Sequence, residues 1–154
     1  MKKLISLFSL LFLAAIVLIS CRKDDEVSQP TLAGTWQPTS IKATGVVNGQ
    51  QVSQTINANN CQLQSRVIFN ADGTGITRNW NDQSGTCTQQ ADSNFTYSYN
   101  AQTKALTITS GNSSTVGTVS SLTHSQLVYS MNSTYDFNGN NVPAVLEVTA
   151  NRAQ

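Results

Sequence analysis

The sequence predicts an all-β domain, a single antiparallel up-and-down β-barrel of about eight strands. Most apolar side chains are β-branched or aromatic, short runs alternate apolar and polar residues, and Asn- and Gly-containing turns separate these runs. No long window has helical periodicity. A β-sandwich of the same strands is the alternative, but sequential hairpins favour a meander, and closing it into a barrel removes exposed sheet edges.

The first strand is predicted from Gly34 to Thr44, with Trp36 near its start. Because Pro38 has no backbone N–H, the strand must lie where residue 38 does not need to donate a hydrogen bond to a neighbouring strand. Asn48-Gly49 predicts a hairpin turn into a weaker strand from Gln50 to Asn57.

The segment "CQLQSRVIFN", residues 61–70, has the clearest strand pattern in the chain. Apolar and polar residues alternate along it, and "ADGTG" follows as a turn. The face predicted to point inward carries Cys61, Leu63, Ser65, Val67 and Phe69.

The later strands are predicted from alternation and from the turns between them. "NFTYSYN" places Phe95, Tyr97 and Tyr99 on one face as an aromatic stripe, and it forms a hairpin with "ALTITS". The other predicted strands are Ile76–Trp80, Val116–Leu122, Gln126–Met131 and Val145–Ala150.

Residues 1–20 have the pattern of a secretory signal peptide, with two lysines, an apolar run and a small residue before a cysteine. A transmembrane anchor is the alternative, but the run of about sixteen residues is shorter than the roughly twenty needed to cross a bilayer. Leu18-Ile19-Ser20-Cys21 resembles the bacterial lipobox, which implies that Cys21 is acylated and attaches the protein to a membrane.

Residues 21–31 are predicted to be a flexible tether, because "RKDDEVSQP" is charged and ends in a proline. The acidic residues after Cys21 look like the surface-export segments of Bacteroidetes lipoproteins, and a plain solvated spacer is the alternative. The resemblance implies attachment to the bacterial outer membrane, facing the cell surface or the periplasm. Residues 32–154 then form one domain.

The charge distribution of the domain argues against nucleic acid as a partner. Beyond the tether the domain has equal numbers of basic and acidic residues, and neither kind is clustered in the sequence. The five basic residues are Lys42, Arg66, Arg78, Lys104 and Arg152, and the five acidic residues are Asp72, Asp82, Asp92, Asp136 and Glu147. Nucleic-acid recognition needs a surplus of lysine and arginine to neutralise phosphates.

Gly34-Thr35-Trp36, at the start of the first strand, looks like the Gly-X-Trp signature of lipocalins. "LAGTW" after a lipobox tether, "CQLQSRVIFN" with "ADGTG" behind it, Cys87, "FTYSY" and "LTHSQLVYS" together resemble the lipocalin-like domains of small Bacteroidetes lipoproteins. The resemblance implies that Trp36 plugs the closed end of the barrel and that Arg152 packs over its indole by a cation-π contact. A frayed C-terminus with a solvated Arg152 is the alternative.

With Cys21 acylated, Cys61 and Cys87 remain as an even pair in an oxidising compartment, which predicts a disulfide. Two free buried thiols are the alternative. A zinc site is disfavoured because His124 is the only histidine.

No enzyme, metal or cofactor is predicted. A Ser-His-Asp triad would need His124 and Asp136, yet no serine lies in a nucleophile-elbow context. "DFNGNNVPAVLE" has acidic and amide residues at EF-hand positions, from Asp136 to Glu147, but it lacks the central glycine and contains Pro143. An Asn-Gly hairpin is the favoured interpretation of this segment.

The leading functional hypothesis is a lipid-anchored envelope protein whose barrel binds a small hydrophobic ligand. The residues predicted to line its cavity are aromatic: Trp80, Phe95, Tyr97, Tyr99 and Tyr129. The alternative is a barrel filled by these side chains, serving as an interaction or structural module that binds glycan or protein.

Overall fold

The computed structural model describes residues 28–82 and 85–153, so the predicted signal peptide and Cys21 lie outside the described residues. Within these ranges, no helix is long and apolar enough to cross a membrane. The described elements are β1 (Gly34–Val47), β2 (Gln50–Asn57), a 3₁₀ turn (Gln62–Gln64), β3 (Arg66–Phe69), β4 (Thr74–Arg78), β5 (Trp80–Asn81), β6 (Thr88–Gln89), β7 (Ser93–Tyr99), β8 (Ala105–Ser110), β9 (Ser113–Leu122), β10 (Gln126–Phe137) and β11 (Asn140–Arg152).

The main sheet closes on itself as an eight-stranded antiparallel barrel, which confirms the predicted fold class. The strands are hydrogen-bonded in the order β11-β10-β9-β8-β7-β4-β3-β1, and β11 also pairs with β1. This closing pair runs from Trp36 opposite Arg152 to Gly45 opposite Ala144, with a bulge between Pro38 and Ser40. The register is that of a sequential meander, apart from β5 and β6, which form a separate short hairpin.

One barrel strand is interrupted, because β2 and β3 both pair with the same edge of β1. The first three residues of β1, beginning at Gly34, pair with β3. Its later residues, from Ser40 onward, pair with β2. Residues 58–65 leave the sheet between these two pairings.

The strand prediction for residues 61–70 is wrong in its first half, since Gln62–Gln64 is a 3₁₀ turn and only Arg66–Phe69 is a strand. The turn forms because Asn59 and Gln62 hydrogen-bond to each other: each side-chain oxygen accepts from the other's backbone amide, at 2.9 and 3.0 Å. Polar–apolar alternation therefore continues through a segment that has left the sheet.

The last hairpin is longer than the sequence predicted, because β10 continues to Phe137 and β11 begins at Asn140. β9 pairs with β10 only as far as Met131. Beyond that point β10, β11, β1 and β2 form a four-stranded extension of the barrel wall.

The main core fills the barrel near the start of β1. Its fully buried side chains are Trp36, Phe69, Leu106, Val119 and Leu127. Burying each of the large apolar side chains stabilises the fold by about 1.5–3 kcal/mol. Phe69 contacts the rings of Phe95 and Tyr97 edge-on, with centroids 5.4 and 4.9 Å apart.

A second, smaller cluster holds the four-stranded extension together. It contains Phe137, Ala43 and Ala144, with Tyr135 packed edge-on against Phe137 at 4.7 Å. The Phe137 ring lies over Gly45, where an added Cβ would come within 2.9 Å of it. The missing side chain at Gly45 therefore makes room for the aromatic ring two strands away.

Candidate functional site

The barrel encloses a cavity of about 490 Å³ above the main core. This volume lies within the range of roughly 300–1,000 Å³ that is typical of small-molecule sites. Its apolar lining comes from eight strands and the segment after β2: Pro38, Ile41, Ile56, Ala58, Val67, Trp80, Phe95, Ile108, Tyr129 and Val148. Asn79 and Gln90 in the lining are exposed, so the cavity opens to solvent on this side.

The opening lies where the interrupted strand leaves the barrel. One side of it is residues 58–65, and the other is the β5–β6 hairpin with the residues that flank it. We call these two segments the lip. A disulfide between Cys61 and Cys87 joins them, with Cα atoms 5.5 Å apart, which confirms the predicted pairing.

Hydrogen bonds support the same connection. The Trp80 amide donates to Ser65 Oγ at 2.9 Å, and the Asn59 side-chain amide donates to an Asp82 carboxylate oxygen at 3.1 Å. Backbone pairing between Gln90 and Asn79, at 2.8 Å, closes the base of the hairpin. The lip is thus fixed covalently and by polar contacts, with little apolar packing.

Of the five aromatic residues proposed from the sequence, the structure places Trp80, Phe95 and Tyr129 in the cavity lining. Tyr97 and Tyr99 share the inward face of β7 with Phe95, but they lie outside the lining. The Tyr97 ring packs on Phe69 and its hydroxyl donates to the Asn70 carbonyl at 2.6 Å, so it belongs to the core near the turn after β3. Tyr99 packs against the same core.

Amide side chains at the lip are part of the site and were not identified from the sequence. Gln62, Asn79, Asn81 and Gln90 all contribute to the lining around the opening. The only signal for them was the amide-rich composition of "NANNCQLQ" and "RNWNDQ", which equally fits a solvated loop.

Charged side chains near the lip are engaged with other groups. Arg66 donates to the carbonyls of Leu63 and Ser65, at 2.8 and 2.7 Å. Arg78 forms an ion pair with Asp92 at 3.0 Å. The hydrogen bond from Arg78 lowers the pKa of the Asp92 carboxyl.

Tyr129 is a deeply buried polar group of the lining, with 8% of its surface exposed, the same fraction as Ser65. Burial raises the pKa of its hydroxyl to about 12. Its neighbours across the sheet are Val148 on β11 and Val119 on β9, so its surroundings are apolar. The hydroxyl, like any tyrosine hydroxyl, is protonated at neutral pH and can donate a hydrogen bond, and burial extends this state into alkaline solution.

The opposite end of the barrel is closed by Trp36, whose surface is fully buried. Its indole donates to the Leu32 carbonyl at 2.8 Å, and the Arg152 guanidinium lies over the ring, 4.2 Å from its centroid. Gly34, with φ +144°, makes this possible, because a Cβ at that position would collide with the guanidinium.

Arg152 also connects three backbone segments at the closed end. Its guanidinium donates to the carbonyls of His124 and Thr31, both at 2.8 Å, and to that of Ala33 at 3.3 Å. The frayed-tail alternative is therefore wrong. Arg152 lies in β11, where it pairs with Trp36 of β1, and its guanidinium is hydrogen-bonded to three backbone carbonyls.

The chain contacts the barrel before the predicted end of the tether. The exposed His124 ring nitrogen Nε2 lies 2.7 Å from the Ser28 carbonyl, and the Thr31 carbonyl accepts from Arg152. The residues from Ser28 onward thus dock on the closed end.

The geometry gives no catalytic pairing of His124 with Asp136. These residues lie at the two ends of β10, about 40 Å apart given the rise of an antiparallel strand. Among the residues described, no three histidine, cysteine, aspartate or glutamate side chains form a group that could hold a metal ion.

The calcium-loop pattern in residues 136–147 is a β-hairpin, as favoured. Asp136 pairs with Asn141, and its carboxylate accepts from the Gly139 amide at 2.5 Å. Glu147 pairs with Ser130 and Lys42 six residues further along β11, about 20 Å away. The two carboxylates cannot ligate one ion.

Comparison with known proteins gives one match to a family model. The model is described as a lipocalin-like domain, and it matches residues 32–129. No curated protein sequence matches the chain.

Several solved structures resemble this one at low sequence identity. A complex of bovine odorant binding protein with a selenium-containing odorant is 14% identical, covers 88% of this chain and 78% of its own, and has a TM-score of 0.45. A dog lipocalin allergen is 9% identical, with coverages of 80% and 74% and a TM-score of 0.45. A Bacteroides ovatus protein of unknown function is 16% identical, with coverages of 79% and 41% and a TM-score of 0.38.

Proposed function

Because the chain belongs to the lipocalin-like domain family, we propose that it binds a small hydrophobic molecule inside its barrel. Proteins of this fold generally bind ligands and do not catalyse reactions. The observation that carries the proposal is the cavity of about 490 Å³ with its largely apolar lining. In the alternative hypothesis these inward-facing side chains would pack against one another and leave no open space between them.

The architecture separates binding from stability. Trp36, Phe69, Leu106 and Leu127 fill the closed half of the barrel completely. The cavity begins beyond them and is bounded by side chains such as Ile108 and Val148, which are only partly buried. Apolar groups that face an open cavity gain free energy when a ligand covers them.

We further propose that the protein is a lipoprotein, acylated at Cys21 and attached to the bacterial outer membrane. The support is the signal-like residues 1–20, the lipobox-like Leu18–Cys21 and the charged segment that follows. The membrane partner would be contacted through the lipid on Cys21.

The binding proposal is tested with the fragment from Arg22 to Gln154, which keeps every contact described above. Titration with N-phenylnaphthylamine, whose fluorescence rises in apolar sites, should show saturable binding. The double variant Ala58→Trp/Ile108→Trp puts two indoles into the lining and should abolish it. The matched control Val46→Trp/Val116→Trp adds the same groups at positions that are 57% and 60% exposed, and binding should persist.

Native mass spectrometry of the fragment purified from its natural host should show a retained extra mass. Equal probe binding by the cavity-filling double variant and the wild type would refute the interior site.

The lipid anchor is tested separately. Cys21→Ala should abolish incorporation of labelled palmitate. Unchanged labelling would refute the lipobox.

A further inference from the structure

The polar groups of the cavity allow a statement about which ligands fit it. Among the described residues, every side-chain oxygen or nitrogen that is fully buried has a hydrogen-bond partner. The Tyr129 hydroxyl has no partner among these residues, so its oxygen is not fully buried, although the side chain as a whole is more than nine-tenths buried. Because Tyr129 lines the cavity, the hydroxyl is accessible from the cavity.

An unpaired hydroxyl in an apolar wall is unfavourable unless something in the cavity accepts its hydrogen bond. Phe95, Ile108 and Val148, which share the lining with Tyr129, provide no such acceptor. The phenol is protonated at neutral pH, so it can donate to a carbonyl, ether or hydroxyl oxygen of a ligand.

Charge is absent from the cavity. None of the residues that line it is acidic or basic. Arg66 and Arg78 lie near the lip, but the first is bonded to the Leu63 and Ser65 carbonyls and the second is paired with Asp92. A ligand carboxylate would lose its hydration without gaining a cation, which is strongly unfavourable.

We propose that the cavity selects uncharged ligands carrying a hydrogen-bond acceptor, which the Tyr129 hydroxyl binds while the apolar side chains around it cover the adjoining part of the molecule. This inference rests on the proposed function and narrows it to neutral ketones, esters, ethers or alcohols, excluding fatty-acid anions.

The test uses three ligands of nearly equal size that differ in one group. Benzylacetone presents a ketone, hydrocinnamate a carboxylate in the same place, and butylbenzene only methylenes. Each is used to displace N-phenylnaphthylamine from the Arg22–Gln154 fragment near pH 7.5, where a carboxylic acid is ionised. Hydrocinnamate should bind at least about ten-fold more weakly than benzylacetone.

The role of Tyr129 is read from a ratio, the affinity for benzylacetone divided by that for butylbenzene. Tyr129→Phe should lower this ratio about five-fold, the value of one ordinary hydrogen bond. The matched control Tyr135→Phe removes a phenol hydroxyl in the cluster around Phe137, outside the cavity, and should leave the ratio unchanged.

An unchanged ratio in Tyr129→Phe, or hydrocinnamate binding as tightly as benzylacetone, would overturn this inference while leaving the proposed function intact. If the wild type binds neither the fluorescent probe nor any of the three ligands, both fail together.

Discussion

The two ends of the barrel are stabilised by different kinds of interaction. At the closed end, Trp36 is fully buried and Arg152 covers its indole while bonding three carbonyls. At the lip, a disulfide and amide hydrogen bonds hold two irregular segments over an open cavity. Packing stabilises one end, whereas covalent and polar contacts stabilise the other.

This difference indicates that the closed end stabilises the fold, whereas the lip shapes the opening of the cavity. Close packing at the closed end leaves no space for a ligand, and the free energy gained there maintains the fold. The lip has little apolar packing, so its shape depends on the cross-link. Under the proposed function the cavity stays open for a ligand, and the cross-link then stabilises the lip in place of a packed core.

The sharpest test of this comparison replaces one tryptophan at each end. Trp36→Ala should lower the free energy of unfolding by about 3–5 kcal/mol, because it leaves a large hole in a close-packed core. Trp80→Ala, in the partly exposed lip, should cost clearly less. Urea denaturation followed by circular dichroism measures both, and equal losses would show that the two ends are packed alike.

Removing the disulfide tests the lip alone. Cys61→Ser/Cys87→Ser should lower the free energy of unfolding by about 3 kcal/mol, since it frees a loop with a sequence separation of 26 residues in the unfolded chain. The affinity for N-phenylnaphthylamine should fall as well, because the lip is no longer held together. Unchanged probe affinity would mean that the hydrogen bonds suffice to shape the opening.

Replacing one arginine at each end sharpens the comparison further. Arg152→Ala should cost about 1–2 kcal/mol, through loss of the cation-π contact with Trp36. Arg78→Ala breaks an exposed ion pair and should cost at most about 1 kcal/mol. Neither residue lines the cavity, so probe affinity should stay constant. A fall in probe affinity for Arg152→Ala would show that the two ends are energetically coupled.

The smallest effect is expected in alkaline solution. Because burial raises the pKa of Tyr129 to about 12 in the folded protein, this phenol ionises first in the unfolded chain. Its contribution to stability is complete below the ordinary value of 10.0 and is lost as the pH rises from there towards 12. Urea midpoints measured from pH 9 to 11 should decline less steeply in Tyr129→Phe. An identical decline would mean that the folded protein does not raise the pKa of this hydroxyl.

The closed end was the more predictable half of the molecule. Gly34, Trp36 and Arg152 lie on strands, and the resemblance to the Gly-X-Trp signature, together with alternation along the last strand, made them candidates for the closed end. Several strand bounds were wrong; the predicted strand Ile76–Trp80 is divided between β4 and β5, which belong to different sheets. β10 and β11 continue beyond their predicted ends because Phe137 packs on Gly45, a contact between residues far apart in sequence.

The lip was much harder to predict. Alternation over residues 61–65 indicated a strand, yet mutual hydrogen bonds of Asn59 and Gln62 turn the chain out of the sheet. The stripe of Phe95, Tyr97 and Tyr99 was correctly assigned to one inward face. It could not show that the cavity ends between Phe95 and Tyr97, since that boundary depends on Phe69 from another strand.

The docking of Ser28 and Thr31 on the closed end has a consequence for orientation. On the proposed anchor, six residues lie between Cys21 and Ser28, so the two Cα atoms are at most about 25 Å apart. A tether this short would hold the Trp36 end towards the bilayer and turn the lip outward. The cavity opening would then face away from the membrane, and ligands would reach it from the surrounding water.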